Sequence, residues 1–396
     1  MLSNELITKY SIHLFEKDLT SLIEKYNIDE PFFIVDLLEI VKAYIRWIHC
    51  LPNVKAYYAI KCNPNPVILA VLNELGCNFD CASKNEIKKI LDLTQDPEKI
   101  IFAHPCKYPT HLLYAKEHKI NLMTFDCIEE LYKIKEFHPN ASILLRLAVD
   151  DSHSLCKFNK KFGCKPKDVL VTVQKAKELN MNFKGFSFHV GSSCLSADTY
   201  YDALKICKDA TIIAKYIGYT IDTIDVGGGF IAENTENEVS FEDISKCINK
   251  GINDFFNDMN ISFIGEPGRY MVQKSHTLII TIIAKKQNED GFIYYINDGI
   301  YGSFNCIFFD HQRPILIPIK NYVNCTLYKS QIFGNTCDSL DEITECVMLP
   351  ELFIGDHLYV KNFGAYTTSA KSDNFNGYAV EKFEYIYDQE FVYEIV

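Results

Sequence analysis

Residues Val54–Leu75 read VKAYYAIKCNPNPVILAVLNEL, a stretch that carries the signals of a strand, a turn and a helix in succession. The apolar run Val54–Ile60 predicts a buried strand, and the spacing of apolar residues over Val67–Leu75 predicts a helix. The same succession recurs along the chain, with further apolar runs at Cys77–Asp80, Lys99–Ala103, Asn121–Phe125, Ser142–Leu147, Phe183–His189, Ile221–Val226 and Ile261–Glu266. This alternation predicts a parallel (β/α)₈ barrel. An open Rossmann-type sheet has the same alternation and is the alternative.

From about residue 275 the pattern changes to β-branched and aromatic runs without a long helix. These runs predict a separate all-β domain with a β-sandwich or Greek-key-like arrangement, its strands at His276–Ala284, Phe292–Asn297, Tyr322–Leu327, His357–Lys361 and Val380–Ile386. We therefore expect an α/β plus all-β chain in three parts. An N-terminal segment, 1–30, would pack with the β domain, a barrel would cover 31–272, and the β domain would cover 273–396.

The composition narrows the possible functions. Among 396 residues, 40 Lys and Arg stand against 52 Asp and Glu, which gives a formal net charge of −12. Such an acidic chain is a poor candidate for binding nucleic acid or anionic membranes, and no apolar run is long enough to span a bilayer. The 15 cysteines are scattered, without a Cys-x-x-Cys pair. We therefore expect no metal site and no disulfide framework, and reduced thiols in a cytoplasmic compartment.

Barrel enzymes carry their chemistry at the C-terminal ends of the barrel strands. Almost every predicted strand here ends in a polar, charged or glycine residue: Lys61, Asp80, His104, Asp126, Arg146, His189, Gly227 and Glu266. Any strand that leaves a sheet tends to end in something polar. Eight polar, charged or glycine residues at equivalent strand ends nevertheless favour an active site at that end of the barrel.

Three of these positions suggest a particular chemistry when taken together. Lys61 follows an apolar run, where partial desolvation lets an amine form an imine with a carbonyl. Gly227-Gly228-Gly229 follows a strand, where backbone N–H groups can approach a phosphate. Glu266 and Arg269 supply a carboxylate and a guanidinium at the last barrel strand. Separately they are also explained by a solvated lysine, a tight turn and a surface ion pair. Their combination fits pyridoxal phosphate.

A longer series of motifs then identifies a family. The motifs, in chain order, are Tyr58–Asn63, Phe79–Ser83, Phe188–Ser192, Gly227–Gly229, Gly265–Tyr270, Tyr301–Cys306, Phe309–His311, Cys337–Asp341 and Gly364–Tyr366. With them the chain resembles the eukaryotic-type ornithine decarboxylases from about Phe32 to Tyr385. These are barrel-fold pyridoxal-phosphate decarboxylases similar to alanine racemase. The resemblance implies decarboxylation of L-ornithine to putrescine and CO₂, the first step of polyamine synthesis.

The resemblance also implies roles for residues around the cofactor. Lys61 would hold pyridoxal phosphate covalently, Glu266 would pair with the pyridine nitrogen, and His189 would stack on the ring. Asp80 and Arg146 would orient Lys61 and its surroundings. The phosphate would be held by Ser192, Gly227, Gly228, Gly229, Arg269 and Tyr366.

On the substrate side, the resemblance implies that Asp310 and Asp338 pair with the distal ammonium and that Phe375 lines the pocket. Cys337 would return a proton to Cα. In this family Cys337 and Asp338 reach into the partner subunit's site, which implies a homodimer with shared active sites.

Two departures and two alternatives accompany the resemblance. His104 stands where relatives usually carry Asn, so it is expected to shift the pH dependence. One extra residue lies between Tyr366 and Phe375, the aromatic residue that the resemblance places in the substrate pocket. The alternatives are a decarboxylase of lysine, arginine or diaminopimelate, and a catalytically silent regulatory homologue. Nothing in the sequence supports an antizyme-like inhibitor as a partner.

Overall fold

The computed structural model describes residues 2–14, 30–232, 239–289, 291–372, 374–378 and 382–388. The chain divides into two compact units. We call Ala43–Met271 the barrel unit, and Met1–Lys42 together with Val272–Val396 the sheet unit.

The barrel unit contains a closed barrel of parallel strands, as predicted. In chain order the strands are Val54–Ala59, Asn78–Cys81, Ile100–Phe102, Leu122–Phe125, Ser142–Arg146, Asn182–Ser187, Thr223–Asp225 and Ser262–Gly265. The last strand closes on the first, with Phe263 paired to Val54 and Gly265 to Ala56. Tyr57 and Ile264 pack with Ile101 and Leu144 in a buried core cluster.

Helices separate these strands, and their first turns show why they begin where they do. Pro66 opens the first helix after a barrel strand, and the Asn65 side chain accepts a hydrogen bond from the Val67 N–H. Ser240 and Asp243 form a capping box at another helix. The helices are Leu37–Cys50, Pro66–Glu74, Lys84–Thr94, Pro109–Glu117, Ile128–Phe137, Val169–Glu178, Asp198–Ile217, Phe241–Phe256 and Arg269–Val272. A short antiparallel ribbon joins Ser154–Cys156 to Ser192–Cys194.

The sheet unit is built on a branched, mostly antiparallel sheet, which confirms the predicted β domain. Its strands are His13–Leu14, Phe32–Asp36, His276–Gln287, Gly291–Ile296, Ile317–Pro318, Leu327–Phe333, Glu342–Pro350, His357–Val360 and Lys382–Tyr387. The long strand His276–Gln287 connects the branches, because it pairs with three other strands along its length. Short helices lie at Asn4–Lys9 and Cys306–Phe309.

Three sequence-based expectations differ from the structure. The strand predicted at Tyr322–Leu327 is wrong, since the strand begins at Leu327, and the strand Glu342–Pro350 was not predicted. The predicted boundary at residue 31 places Phe32–Asp36 in the barrel. It pairs instead with His276–Ile279 and Lys382–Ile386, so the sheet unit extends to Lys42. Residues 380 and 381 of the last predicted strand, and 15–29 of the N-terminal segment, lie outside the described residues.

Candidate active site

Lys61 and Asp80 form an ion pair at the C-terminal ends of the first two barrel strands. Lys61 lies in the single helical turn Ile60–Cys62, and its Nζ donates to Asp80 Oδ2. The Asp80 side chain is completely buried, whereas that of Lys61 is 41% exposed. Burial raises the pKa of Asp80, and the charge of Lys61 opposes that rise. The amine is therefore anchored from inside the barrel and accessible from outside.

Arg146 is the last residue of the fifth barrel strand. Its guanidinium lies 5.3 Å from the ring centroid of Phe162. Burial lowers its pKa, while Glu266, Asp126 and other carboxyl groups act in the opposite direction. Arg146 is thus the cation that offsets the carboxyl groups of the barrel interior. Asp126, at the end of the fourth strand, accepts a hydrogen bond from the Gly163 N–H at 2.9 Å.

His189 follows the sixth barrel strand and carries no charge at neutral pH. Burial, followed by the charges of Arg146 and Lys61, lowers its pKa well below the ordinary value. Its Nδ1 accepts a hydrogen bond from the Gly191 N–H at 3.1 Å, which assigns the proton of the neutral ring to Nε2. Phe158 packs on it at a steep angle, with the ring planes 72° apart and the ring centroids 5.0 Å apart.

The glycine triplet forms a turn that only glycine can make here. Gly227 and Gly229 have φ of +66° and +107°, in the left-handed region. A Cβ on Gly228 would lie 2.8 Å from His189 Nε2, so the turn approaches the imidazole closely. The backbone of the triplet therefore lies directly beside His189, with no side chain between them.

Two further polar groups extend this turn. Arg269, which is buried, donates from Nη2 to Ser192 Oγ at 3.3 Å. The ribbon strand that contains Ser192 is tied to the triplet, because the Cys194 N–H donates to the Gly229 carbonyl at 3.0 Å. A cation, a hydroxyl and a glycine turn in one place suit a phosphate group.

Glu266 directly follows the eighth barrel strand and is buried. Its N–H donates to the Gly227 carbonyl at 2.6 Å, which joins it to the glycine turn. Burial and the nearby carboxyl groups of Asp225 and Asp80 raise its pKa well above the ordinary value. A carboxyl group in this position suits pairing with a positively charged partner.

These barrel residues fit pyridoxal phosphate. Asp80 Oδ1 and Arg146 Nη2 are buried and make no hydrogen bond among the described residues. Such atoms are costly unless a further polar group is bound nearby. The exposed amine of Lys61, the glycine turn beside Arg269, and the carboxyl group of Glu266 match the aldehyde, phosphate and ring nitrogen of the cofactor.

His104 lies on the active-site side of the barrel, and its backbone carbonyl accepts a hydrogen bond from Lys107. A buried ion pair joins Lys107 to Glu130 at 2.9 Å, and Lys107 Nζ also donates to the carbonyls of His104 and Thr124. Burial, with the charges of Lys107, Lys161 and Lys61, lowers the pKa of His104. This imidazole is therefore neutral at pH 7.

The sheet unit holds the remaining candidate residues in its own arrangement. Tyr301 donates from its hydroxyl to Asp338 Oδ2, and its ring stacks on Phe375 with centroids 4.0 Å apart. Cys337 is exposed, and its N–H donates to Asn376 Oδ1 at 2.9 Å. These residues form one cluster, in which the hydrogen bonds from the Leu340 N–H and from Tyr301 lower the pKa of Asp338.

Asp310 and Tyr366 lie elsewhere in the sheet unit. Asp310 is buried and accepts a hydrogen bond from Gln312 Nε2 at 2.5 Å. Gln312 Nε2 also donates to the Ala365 carbonyl, so the amide fixes the carboxylate. Tyr366 has a φ of +56°, a conformation that side chains rarely adopt. Its predicted contact with the phosphate stays a prediction.

Comparison with known proteins decides the family. The profile described as pyridoxal-dependent decarboxylase, pyridoxal binding domain, matches residues 37–273. The chain is 41% identical to an ornithine decarboxylase of Schizosaccharomyces pombe over 90% of this chain and 83% of the relative. The chain belongs to the pyridoxal-dependent decarboxylase family.

Other members of the pyridoxal-dependent decarboxylase family show its breadth. A Xenopus laevis protein named antizyme inhibitor 2 is 40% identical over 88% of this chain and 79% of its own length. The crystal structure of the Paramecium bursaria Chlorella virus arginine decarboxylase bound to agmatine superposes with a TM-score of 0.89 at 32% identity. That match covers 93% of this chain and 99% of the viral one.

Four residues that contact the candidate site were not predicted from the sequence. Asp225 lies on the seventh barrel strand beside Glu266, and Tyr301 contacts both Asp338 and Phe375. Phe158 packs on His189, and Gln312 binds Asp310. Asp225 had a signal, since a carboxylate inside an apolar strand and just before a glycine run is unusual. The other three depend on contacts that spacing does not reveal.

No helix in the described part of the chain is long and apolar enough to cross a membrane.

Proposed function

We propose that this chain decarboxylates L-ornithine to putrescine and CO₂ with pyridoxal phosphate, and so begins polyamine synthesis. The observation that carries the proposal is the pair formed by the accessible Lys61 amine and the buried Asp80 carboxylate at the barrel mouth. The ornithine decarboxylase that is 41% identical supports the choice of substrate.

The barrel residues prepare the cofactor. Bound pyridoxal phosphate supplies an electron-withdrawing ring for the bond that breaks. Lys61 would bind it covalently, and Asp80 together with Arg146 would keep Lys61 in place. Glu266 would pair with the ring nitrogen, and His189, which is uncharged because burial and the neighbouring cations lower its pKa, would stack on the ring. The phosphate would be held by Ser192, the glycine turn, Arg269 and Tyr366.

The sheet-unit residues act on the substrate. Asp310 and Asp338 bind the distal ammonium, a charge-assisted contact that a neutral amino acid does not make. Phe375 lines the pocket beside Tyr301. Cys337 is exposed, so its thiol is accessible to return a proton to Cα.

We further propose that the active form is a homodimer in which Cys337 and Asp338 serve the partner's barrel. Leu340, next to them in sequence, is 67% exposed, and Phe309 and Ile315 are each 71% exposed. Large apolar side chains this accessible are typical of a surface that another subunit covers. The 15 cysteines are all free, which supports a reducing compartment such as the cytoplasm.

A substrate panel tests the proposed reaction. Purified protein with pyridoxal phosphate is given ornithine, lysine, arginine or diaminopimelate separately, and CO₂ and the diamine are measured. We expect ornithine to have the highest kcat/KM. A preference for arginine or lysine would refute the substrate assignment. No turnover of any of the four, with the cofactor bound, would favour the regulatory class to which the antizyme inhibitor belongs.

A further inference from the structure

The barrel interior holds more negative than positive groups. Three carboxyl groups are buried at the strand ends, those of Asp80, Asp225 and Glu266. Two cationic side chains act on them, Lys61 and Arg146. Lys61 is already paired with Asp80. Lys61 also acts on Glu266, so two cations face three buried carboxyl groups, one more than they neutralise.

The other titratable groups around this carboxyl pair add no positive charge. His189 is neutral, because burial and the neighbouring cations lower its pKa. Burial raises the pKa of Tyr57 to about 12 and also raises the pKa of the Cys207 thiol, so both stay protonated and uncharged. Asp126, which also acts on Arg146, would only add negative charge. If both carboxyl groups were ionised, one buried negative charge would stay uncompensated, which is strongly unfavourable.

The hydrogen bonds indicate where a proton compensates this charge. Asp225 Oδ1 accepts from the Gly227 N–H at 2.8 Å, so this oxygen is satisfied. Asp225 Oδ2 is buried and has no donor among the described residues. Glu266 lies beside Asp225, because Gly227, which donates to Asp225 Oδ1, also accepts a hydrogen bond from the Glu266 N–H at 2.6 Å. Each of the two carboxyl groups shifts the pKa of the other. A carboxyl group that carries a proton becomes a donor, and a proton on Glu266 supplies the one that Asp225 lacks.

Resting on the proposed cofactor chemistry, we propose that Asp225 and Glu266 share one proton in the cofactor-free barrel and that Asp225 keeps this proton on Glu266. Asp225 is then a positioning residue that acts through Glu266. To pair with a protonated ring nitrogen, Glu266 must be ionised. Glu266 therefore gives up the shared proton when the cofactor binds, to the ring nitrogen if that atom arrives unprotonated and to solvent if it does not.

Proton counting tests this assignment without measuring catalysis. Cofactor-free protein is titrated with pyridoxal phosphate in a calorimeter, at one pH, in two buffers of different ionisation enthalpy. In Asp225→Asn the competing carboxylate is gone, so the inference predicts that Glu266 is ionised before the cofactor binds. Wild type should therefore release about one proton more per site than Asp225→Asn, and Asp225→Glu should restore the wild-type count. Equal counts in wild type and Asp225→Asn would overturn the inference.

Asp222→Asn is the matched control. Asp222 lies three positions earlier and makes a surface ion pair with Lys184 at 2.6 Å. Its substitution should leave the proton count at the wild-type value. A change as large as that of Asp225→Asn would show that the count reports a general loss of acidic charge, and this result would also overturn the assignment.

A second measurement needs no cofactor. Infrared spectra of the cofactor-free protein at neutral pH should contain a protonated-carboxyl band that both Asp225→Asn and Glu266→Gln abolish. Persistence of the band in Asp225→Asn would mean that burial alone protonates Glu266, and absence from wild type would mean that no proton is shared. Failure of pyridoxal phosphate to bind would refute the proposed function, while the infrared test would still decide this inference.

Discussion

The barrel unit and the sheet unit both carry candidate catalytic residues, but they surround them differently. In the barrel unit, the completely buried Asp80 is paired with Lys61, and Arg146 lies among the other buried carboxyl groups. In the sheet unit, Cys337 is exposed and Leu340 is 67% exposed. A buried charge must be matched by its own fold, since an unmatched one is too costly to keep. The partner of the buried Asp80 carboxylate therefore lies within this chain, whereas the sheet-unit cluster is accessible at the surface.

Substitution of the barrel lysine should have the largest effect. Lys61→Ala removes the amine that binds the cofactor, so turnover of ornithine should fall by several orders of magnitude and the visible absorbance of the bound cofactor should disappear. Lys55→Ala is the control, since Lys55 is exposed on the same barrel strand. An unchanged spectrum in Lys61→Ala would place the covalent attachment on another lysine. The Lys61–Asp80 pair would then no longer distinguish the barrel unit from the sheet unit.

Mixing two inactive variants tests whether the units of different subunits cooperate. Lys61→Ala and Cys337→Ala should each be nearly inactive as homodimers. After free exchange about half of the dimers are mixed, and each has one intact site, so activity should recover to about a quarter of wild type.

A mixture of Lys61→Ala with Glu266→Ala is the control for this exchange. Both changes lie in the barrel unit, so every site keeps one defect and no activity should return. If the first mixture also stayed inactive after exchange had been verified, each subunit would build its site from its own two units.

Asp310 tests the sheet unit at a buried position. Asp310→Glu lengthens a carboxylate that Gln312 holds at 2.5 Å, so the carboxylate enters the space of the ammonium that it should bind. Loss of a charge-assisted hydrogen bond worth about 1.5–3 kcal/mol predicts a fall in kcat/KM for ornithine of roughly 10- to 100-fold. Relative use of other basic amino acids should rise. Glu345→Asp, at an exposed position on the edge strand, should leave kcat/KM unchanged. Unaltered ornithine kinetics in Asp310→Glu would show that Asp310 does not contact the substrate.

His104 should have the smallest effect, confined to acidic pH. Burial lowers the pKa of His104. At pH values above the ordinary pKa of histidine, the imidazole is therefore neutral in both the folded and the unfolded chain. His104→Asn should therefore change kcat/KM at pH 8 by no more than about 0.5 kcal/mol in barrier height.

The sign of the pH effect on stability follows from the same shift. Below the unfolded pKa of about 6.5, the unfolded chain binds the proton more readily, so wild type loses stability as pH falls. His104→Asn should lose less over that range in thermal denaturation, whereas His49→Asn, at an exposed site, should match wild type. A larger loss in His104→Asn than in wild type would show that the protonated imidazole is favoured in the folded barrel.

The sequence predicts the barrel better than the sheet, for a physical reason. Each barrel strand lies next to its chain neighbour and is buried on both faces, so a short apolar run followed by a helix identifies it. Glu342–Pro350 is an edge strand in which polar residues such as the exposed Glu345 interrupt the apolar ones, and no helix follows it. Phe32–Asp36 has the apolar signal, but its pairing partners begin at His276. No local pattern reports a partner so distant.

The candidate site divides along the same line. Some site residues could be predicted because each directly follows an apolar run that identifies a barrel strand. These are Lys61, Glu266 and the glycine triplet. The interaction of Asp225 with Glu266, and that of Tyr301 with Phe375, depend on side-chain direction across neighbouring segments. Such contacts require coordinates.

The placement of Phe32–Asp36 has a consequence during synthesis. The segment reads FFIVD, and its first four residues are buried in the sheet unit by pairing with His276–Ile279. Ribosomes add about 5–20 residues per second, so some 240 intervening residues take roughly 12–48 s to make. For that time an apolar strand has emerged without its partner, a state prone to aggregation. Until the C-terminal third is complete, the nascent chain therefore exposes an apolar segment of the kind that chaperones protect.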